Sequence, residues 1–142
     1  AGSVILFMMT KKPAPQYTRF ASKRFRDPKI TTKKTGKRYL ITGGSGFLGG
    51  HVIEALLERG ETNISFFDIR PSALFANESS VKFIQGDITN KEDLLKALEG
   101  IDCVIHTAAH LAYAARHEWN REPSYKVNYI GTRILLDSCI QK

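Results

Sequence analysis

With 142 residues, 42% of them hydrophobic, and two cysteines, the chain can form one domain with a proper core. It is too short for two and too poor in cysteine for a disulfide-stapled scaffold. Its net charge of +7 is unevenly placed: residues 1–38 hold 11 of the 21 Lys and Arg against one acid, Asp27, while the remainder has 10 bases and 13 acids. That asymmetry argues against nucleic-acid recognition, because a folded binder carries its basic patch on the ordered surface.

Residues 1–37 read as a basic leader. Lys11, Lys12, Arg19, Lys23, Arg24, Arg26 and Lys29 are spaced among Pro13, Pro15 and Pro28 without a sustained apolar period, which predicts disorder. The apolar run Val4 to Met9 falls far short of the roughly 20 residues that span a bilayer, and is shorter than a usual signal core. An acid-poor, basic, hydroxyl-bearing start also suits an organelle transit peptide or an arm contacting an anionic membrane surface. The first residue is Ala1, so the recorded start need not be the genetic one.

From residue 38 the pattern changes. Tyr39-Leu40-Ile41 reads as a buried strand running into Thr42-Gly43-Gly44-Ser45-Gly46-Phe47-Leu48-Gly49 and then into a helix with Val52, Ile53, Leu56 and Leu57 on one face, ending at Gly60. Such a turn lets backbone N–H groups and the positive end of a helix approach a pyrophosphate. Gly43 or Gly44 can take the turn, Gly46 lets the main chain near the phosphates, and Gly49 lets the helix lie close to the strand. Ser45, Phe47 and Leu48 supply the donors. The next strand, Asn63 to Asp68, ends in an acid nineteen residues beyond Gly49. A carboxylate there accepts from adenosine ribose hydroxyls and repels a 2′-phosphate, which favours NAD over NADP; Arg70 nearby works the other way.

Val81 to Gln85 is a third strand, followed by the turn Gly86-Asp87-Ile88 and a capping box, Thr89 to Glu92, that opens a helix to about Leu98. Ile101 to His106 is a fourth strand, apolar enough to suggest cover on both faces and a central place in the sheet. A polar and aromatic connection, His110 to Pro123, holds Tyr113, Arg116, His117 and Trp119. A long helix then runs from about Ser124, burying Val127, Ile130, Ile134 and Leu135. Alternating strands and helices predict an α/β fold, the first four strands of a Rossmann-type doubly wound parallel sheet. Ligands collect beyond the carboxyl ends of such strands, where Thr42-Gly43, Asp68, Asp87 and Thr107-Ala108-Ala109 all fall. Cys103 and Cys139 read as buried thiols of a reducing compartment, with no metal-ligand spacing.

Residues from about Lys37 to Lys142 resemble the N-terminal part of an extended short-chain dehydrogenase/reductase. The resemblance is nearest to the 3β-hydroxysteroid dehydrogenase group, which includes the sterol-4α-carboxylate 3-dehydrogenases. It rests on Thr42 to Gly49, Phe67-Asp68-Ile69, Gly86-Asp87-Ile88, His106-Thr107-Ala108-Ala109 and Val127-Asn128-Tyr129-Ile130-Gly131-Thr132. It implies that the glycine turn holds the pyrophosphate, Asp68 the adenosine ribose, and Asp87 with Ile88 the adenine, while Thr107, Ala108 and Ala109 underlie the nicotinamide ribose. Asn128 matches the helix asparagine that kinks the helix and holds a water in a catalytic proton relay. His106 is expected to pack or hydrogen-bond, since the family's base is a tyrosine. An apolar steroid or sterol substrate, membrane association at the endoplasmic reticulum or mitochondria, and a homodimer are further implications. The family's Tyr-x-x-x-Lys pair does not occur: Tyr17, Tyr39, Tyr113, Tyr125 and Tyr129 are followed four residues on by Ala21, Gly43, His117, Tyr129 and Arg133. The chain is therefore expected to be a cofactor-binding part that does not turn over substrate alone. A non-catalytic dinucleotide-binding module, and an enzyme acting on nucleotide sugars or flavonoid-type compounds, are the rival readings.

Overall fold

The computed structural model describes residues 33–72, 75–111 and 121–142. Within them β1 (Tyr39–Thr42) leads to α1 (Phe47–Glu58), β2 (Ile64–Asp68), β3 (Val81–Gln85), α2 (Lys91–Ala97) and β4 (Cys103–His106). A continuous helical rod follows: α3 (Arg121–Ser124), a π-helical stretch (Tyr125–Gly131) and α4 (Thr132–Gln141). The four strands are parallel in the order β3-β2-β1-β4, so the direction of winding reverses between β1 and β4. In an open α/β sheet that reversal opens the crevice where ligands bind.

Alternation along the strands sends side chains to both faces. Tyr39, Ile41, Ile64 and Phe66 meet Ile53 and Leu56 of α1, with Phe75 closing that layer. Leu40 and Phe67 point the other way, onto Ile88, Leu94, Ala97, Leu98 and Leu135 from α2, α4 and their flanks. Helices therefore cover both faces, as the apolar periods predict. Burying each large side chain, Phe66, Phe67, Leu40 and Ile41 among them, contributes about 1.5–3 kcal/mol.

Several expectations need correction. Among the described residues β4 is bonded to β1 alone, and its side chains are half-buried or exposed. The cap of α2 is Asn90, whose Oδ1 accepts from the N–H groups of Glu92 and Asp93. Thr89, one residue earlier, instead donates its N–H and hydroxyl to Asp87. Cys103 is half-buried and Cys139 exposed, so neither is a core thiol among the described residues. The last helix already includes Arg121–Ser124, ahead of its expected start near Ser124.

Residues 33–37, expected at the end of the leader, are tied into the domain. The Glu61 carboxylate, 1% exposed, accepts from Thr35 N–H (2.8 Å), Thr35 hydroxyl (2.9 Å), Gly36 N–H (3.0 Å) and the Arg59 guanidinium (2.8 and 3.0 Å). Burial alone would raise its pKa; the donors outweigh that and hold it at about 2. Arg38 grips Asp102 through two side-chain nitrogens and its own N–H, joining the start of β1 to the turn before β4. The remainder of the leader, and Tyr113, Arg116, His117 and Trp119, lie outside the described residues. Among the described residues no helix is long and apolar enough to cross a membrane.

Candidate dinucleotide-binding site

The glycine turn sits at the mouth of the crevice. Gly43 takes the left-handed conformation (φ +73°), which settles which glycine makes the turn. A Cβ on Gly43 would fall 2.7 Å from the Ala108 backbone, so this turn and the chain leaving β4 lie in backbone contact. Gly44 has a different duty: a Cβ there would strike Phe66 at 2.4 Å, a packing constraint that a glycine pattern does not reveal. Gly49 is pressed against the turn, where a methyl would meet Gly43 O at 2.3 Å and Gly44 Cα at 2.7 Å. Gly46 precedes the helix in extended conformation, and no side chain caps α1. The first turn of α1 contains no acid, and Phe47 and Leu48 are exposed there. First-turn N–H groups lack intrahelical partners, so this positive end is open to an anion. The donor chemistry fits a pyrophosphate: an uncapped helix start without an acid in its first turn stands beside a turn whose glycines allow close backbone packing.

Asp68, at the end of β2, reaches this turn directly. Its Oδ2 accepts the Ser45 N–H at 3.1 Å and its Oδ1 the Arg70 N–H at 3.0 Å, while the Ser45 hydroxyl donates to the Arg70 carbonyl. The nineteen-residue spacing thus closes into contact, which also commits one of the three expected turn donors, Ser45, to the carboxylate. Farther along the rim, Asp87 accepts from Thr89 through Oδ1, and its N–H donates to Asp93. Ile88 is 6% exposed and packs in the core, with Gly131 so close that a Cβ there would stand 2.8 Å from Ile88 Cγ2. Its side chain serves packing and leaves Asp87 as the polar member of that pair. The Thr107 N–H (3.1 Å) and hydroxyl (2.7 Å) both donate to the Thr42 carbonyl, fixing the path of Thr107-Ala108-Ala109 away from β4.

Asn128 lies within the π-helical stretch, where hydrogen bonding departs from the ordinary helical register. Its Oδ1 accepts the His110 N–H at 2.7 Å, and its Nδ2 donates to the His110 carbonyl at 3.0 Å. The amide therefore fastens the chain after Ala109 to the helix. His106 is a hydrogen-bonding residue: Nδ1 is 2.6 Å from Thr42 Oγ1 and Nε2 is 3.0 Å from Thr132 Oγ1. Partial burial lowers its pKa from the ordinary value. Nothing in the linear sequence marks Thr132 as its partner, since 26 residues separate them. Among the described residues no three His, Cys, Asp or Glu side chains are grouped to hold a metal.

A parallel sheet in this order, with its glycine turn after β1 and its acid at the end of β2, defines a Rossmann-type domain of the short-chain dehydrogenase/reductase kind. A short-chain dehydrogenase/reductase superfamily protein from Agrobacterium tumefaciens, solved with bound NAD, superimposes with TM-score 0.60 and 31% identity. The match covers 71% of this chain and 28% of that one. The UDP-glucose 4-epimerase of Thermus thermophilus, solved with NAD, gives TM-score 0.63 and 31% identity over 73% of this chain and 34% of its own. Residues 40–142 match the 3-beta hydroxysteroid dehydrogenase/isomerase family, and the chain belongs to it. The decarboxylating sterol-4-alpha-carboxylate 3-dehydrogenase of Mus musculus is 43% identical over 103 residues, 72% of this chain and 26% of that protein. The chain thus spans about a quarter to a third of the length of these relatives.

Proposed function

We propose that residues 38–142 bind NAD and form the cofactor-binding part of an oxidoreductase that converts a 3β-hydroxyl of a steroid or sterol to a ketone. The observation that carries the cofactor reading is the bond from the Asp68 carboxylate to the Ser45 N–H, which puts an acid beside the turn that would take the pyrophosphate. In this reading the N–H groups of Phe47 and Leu48 and the end of α1 hold the pyrophosphate. Gly43 makes the turn, Gly46 brings the main chain to the helix start, Gly49 lets the helix lie against the turn, and Ser45 ties the turn to Asp68. Asp68 accepts from the ribose hydroxyls, and its charge disfavours a 2′-phosphate. Asp87 faces the adenine amine, with Ile88 supporting it from the core. Thr107, Ala108 and Ala109 underlie the second ribose, and Asn128 holds the chain just beyond them through His110. Bound NAD would supply a hydride acceptor for the alcohol carbon.

The apolar substrate class is supported by the family and by the sterol dehydrogenase of Mus musculus. A nucleotide-sugar substrate has a specific observation in its favour, the likeness to the Thermus thermophilus epimerase. No Tyr-x-x-x-Lys pair occurs in the 142 residues, so the chain binds cofactor without oxidising an alcohol by itself. The test is calorimetric titration with NAD and with NADP, alongside Asp68→Ala. Saturable NAD binding that weakens in the variant is expected. Absence of binding by either dinucleotide overturns the reading, and NAD-dependent oxidation of a sterol by this chain alone overturns its last part.

A further inference from the structure

We infer that His106 is a positioning residue: a neutral imidazole with its proton on Nε2, it joins the end of β1 to the Asn128 carbonyl through Thr42 and Thr132. The hydrogen-bond directions follow from which atoms can donate. The Thr132 hydroxyl lies 2.7 Å from the Asn128 carbonyl, which only accepts, so the hydroxyl proton is spent there. The Thr132 oxygen must then accept from His106 Nε2, 3.0 Å away, and Nε2 carries the proton. At the other end Thr42 is fully buried, so its hydroxyl needs a protein acceptor. It receives the Ala108 N–H at 3.4 Å and lies 2.6 Å from His106 Nδ1, whose lone pair takes its proton. The chain runs in one direction, from Ala108 N–H through Thr42, His106 and Thr132 to the Asn128 carbonyl. An imidazolium would reverse its first half and strand the Thr42 proton. The lowered pKa of His106 agrees with a neutral ring.

The far end of this chain falls where the helix is irregular. The Thr132 N–H bonds the Tyr129 carbonyl, three residues back, and its hydroxyl takes the Asn128 carbonyl in place of a main-chain N–H four residues on. His106 therefore links the backbone beneath the cofactor crevice to the π-helical stretch, complementing the Asn128 amide that holds His110. The purpose assigned to it rests on the dinucleotide reading; its protonation state does not.

The first measurement is a long-range 1H–15N correlation spectrum of the 142-residue chain, labelled at its four histidines, near neutral pH. His106 is assigned by the signal lost in His106→Gln. The expected result is an Nε2–H tautomer with unprotonated Nδ1; an Nδ1–H tautomer, a mixture or an imidazolium overturns the inference. The second measurement is the carbonyl 13C shift of Asn128. Thr132→Val and His106→Asn should displace it, and His106→Gln should restore it, because its amide nitrogen lies near the place of Nε2. Equal effects of the Asn and Gln variants overturn the inference. NAD affinity should fall about threefold to tenfold in His106→Asn and stay within about twofold in His106→Gln. If the unaltered chain binds no NAD, the cofactor reading fails, and the tautomer and carbonyl shift still decide this inference.

Discussion

Replacing Gly49 by alanine, and separately its neighbour Gly50, should move stability in opposite directions although both lie in the first turns of α1. At Gly49 a methyl would stand 2.3 Å from Gly43 O and 2.7 Å from Gly44 Cα. Ordinary contact begins at 3.4 Å, so the helix and the turn must separate by about 1.1 Å. The turn has little freedom to yield, because the Gly43 N–H is bonded to the Phe67 carbonyl at 2.8 Å and Gly43 already abuts the Ala108 backbone. Overpacking of this kind costs about 1–3 kcal/mol. At roughly 4–8 °C per kcal/mol for a domain near this size, the midpoint should fall by about 5–20 °C. At Gly50 nothing lies within 4 Å of the added methyl. Alanine there only restricts the unfolded chain and suits the helix, gaining about 0.4–1 kcal/mol and a few degrees. Urea and thermal denaturation followed by circular dichroism read both. NAD titration should show at least about tenfold weaker binding for Gly49→Ala and no change for Gly50→Ala, since only the former moves the helix end proposed to face the pyrophosphate. Wild-type stability in Gly49→Ala, or an equal loss in both variants, would refute the argument from close approach.

Three further outcomes are expected. Glu61 ionises at about 2 in the folded chain against an ordinary value near 4.3, so its contribution is present above the unfolded value and is lost as pH falls from roughly 4 toward 2. Denaturation midpoints across that range should drop, and Glu61→Gln should flatten this part of the profile while lowering stability at neutral pH. Leu94→Ala empties a fully buried site beneath the sheet and should cost about 2–5 kcal/mol in urea denaturation; a loss below about 1 kcal/mol would mean that this layer is not close-packed. Asn128→Ala removes the acceptor of the His110 N–H, and hydrogen exchange of that amide should quicken about tenfold or more. Unchanged exchange would show that the helix does not secure the chain beyond β4.

The parts of this molecule legible in the sequence are those governed by short-range rules. Leu40 and Ile41, or Phe66 and Phe67, announce strands with two buried faces, and the turn from Gly43 to Gly49 announces its helix. Asp68 was legible by spacing as well, because β2 must end beside β1 in a parallel crossover. What escaped depends on neighbours far along the chain. Glu61 resembles any surface acid until Thr35, Gly36 and Arg59 close around it. Gly44 carries no sign of Phe66, nor His106 of Thr132. The π-helical stretch was foreshadowed only by the family resemblance at Asn128, since its apolar spacing matches an ordinary helix.

Asp68 has two employments. The atoms that would choose between cofactors also bind the Ser45 and Arg70 backbone, closing a small ring across the ends of β1 and β2. Redesign of cofactor preference meets a constraint here. Exchanging the acid for a neutral residue, the direct route to accepting a 2′-phosphate, also unfastens the turn proposed to receive the pyrophosphate. A lineage or an engineer seeking the other cofactor would do better to leave this carboxylate in place and recruit cations around it, or to replace Ser45 and Asp68 together. On the proposed reading, selectivity and architecture share one side chain, so a change in the first is coupled to the second.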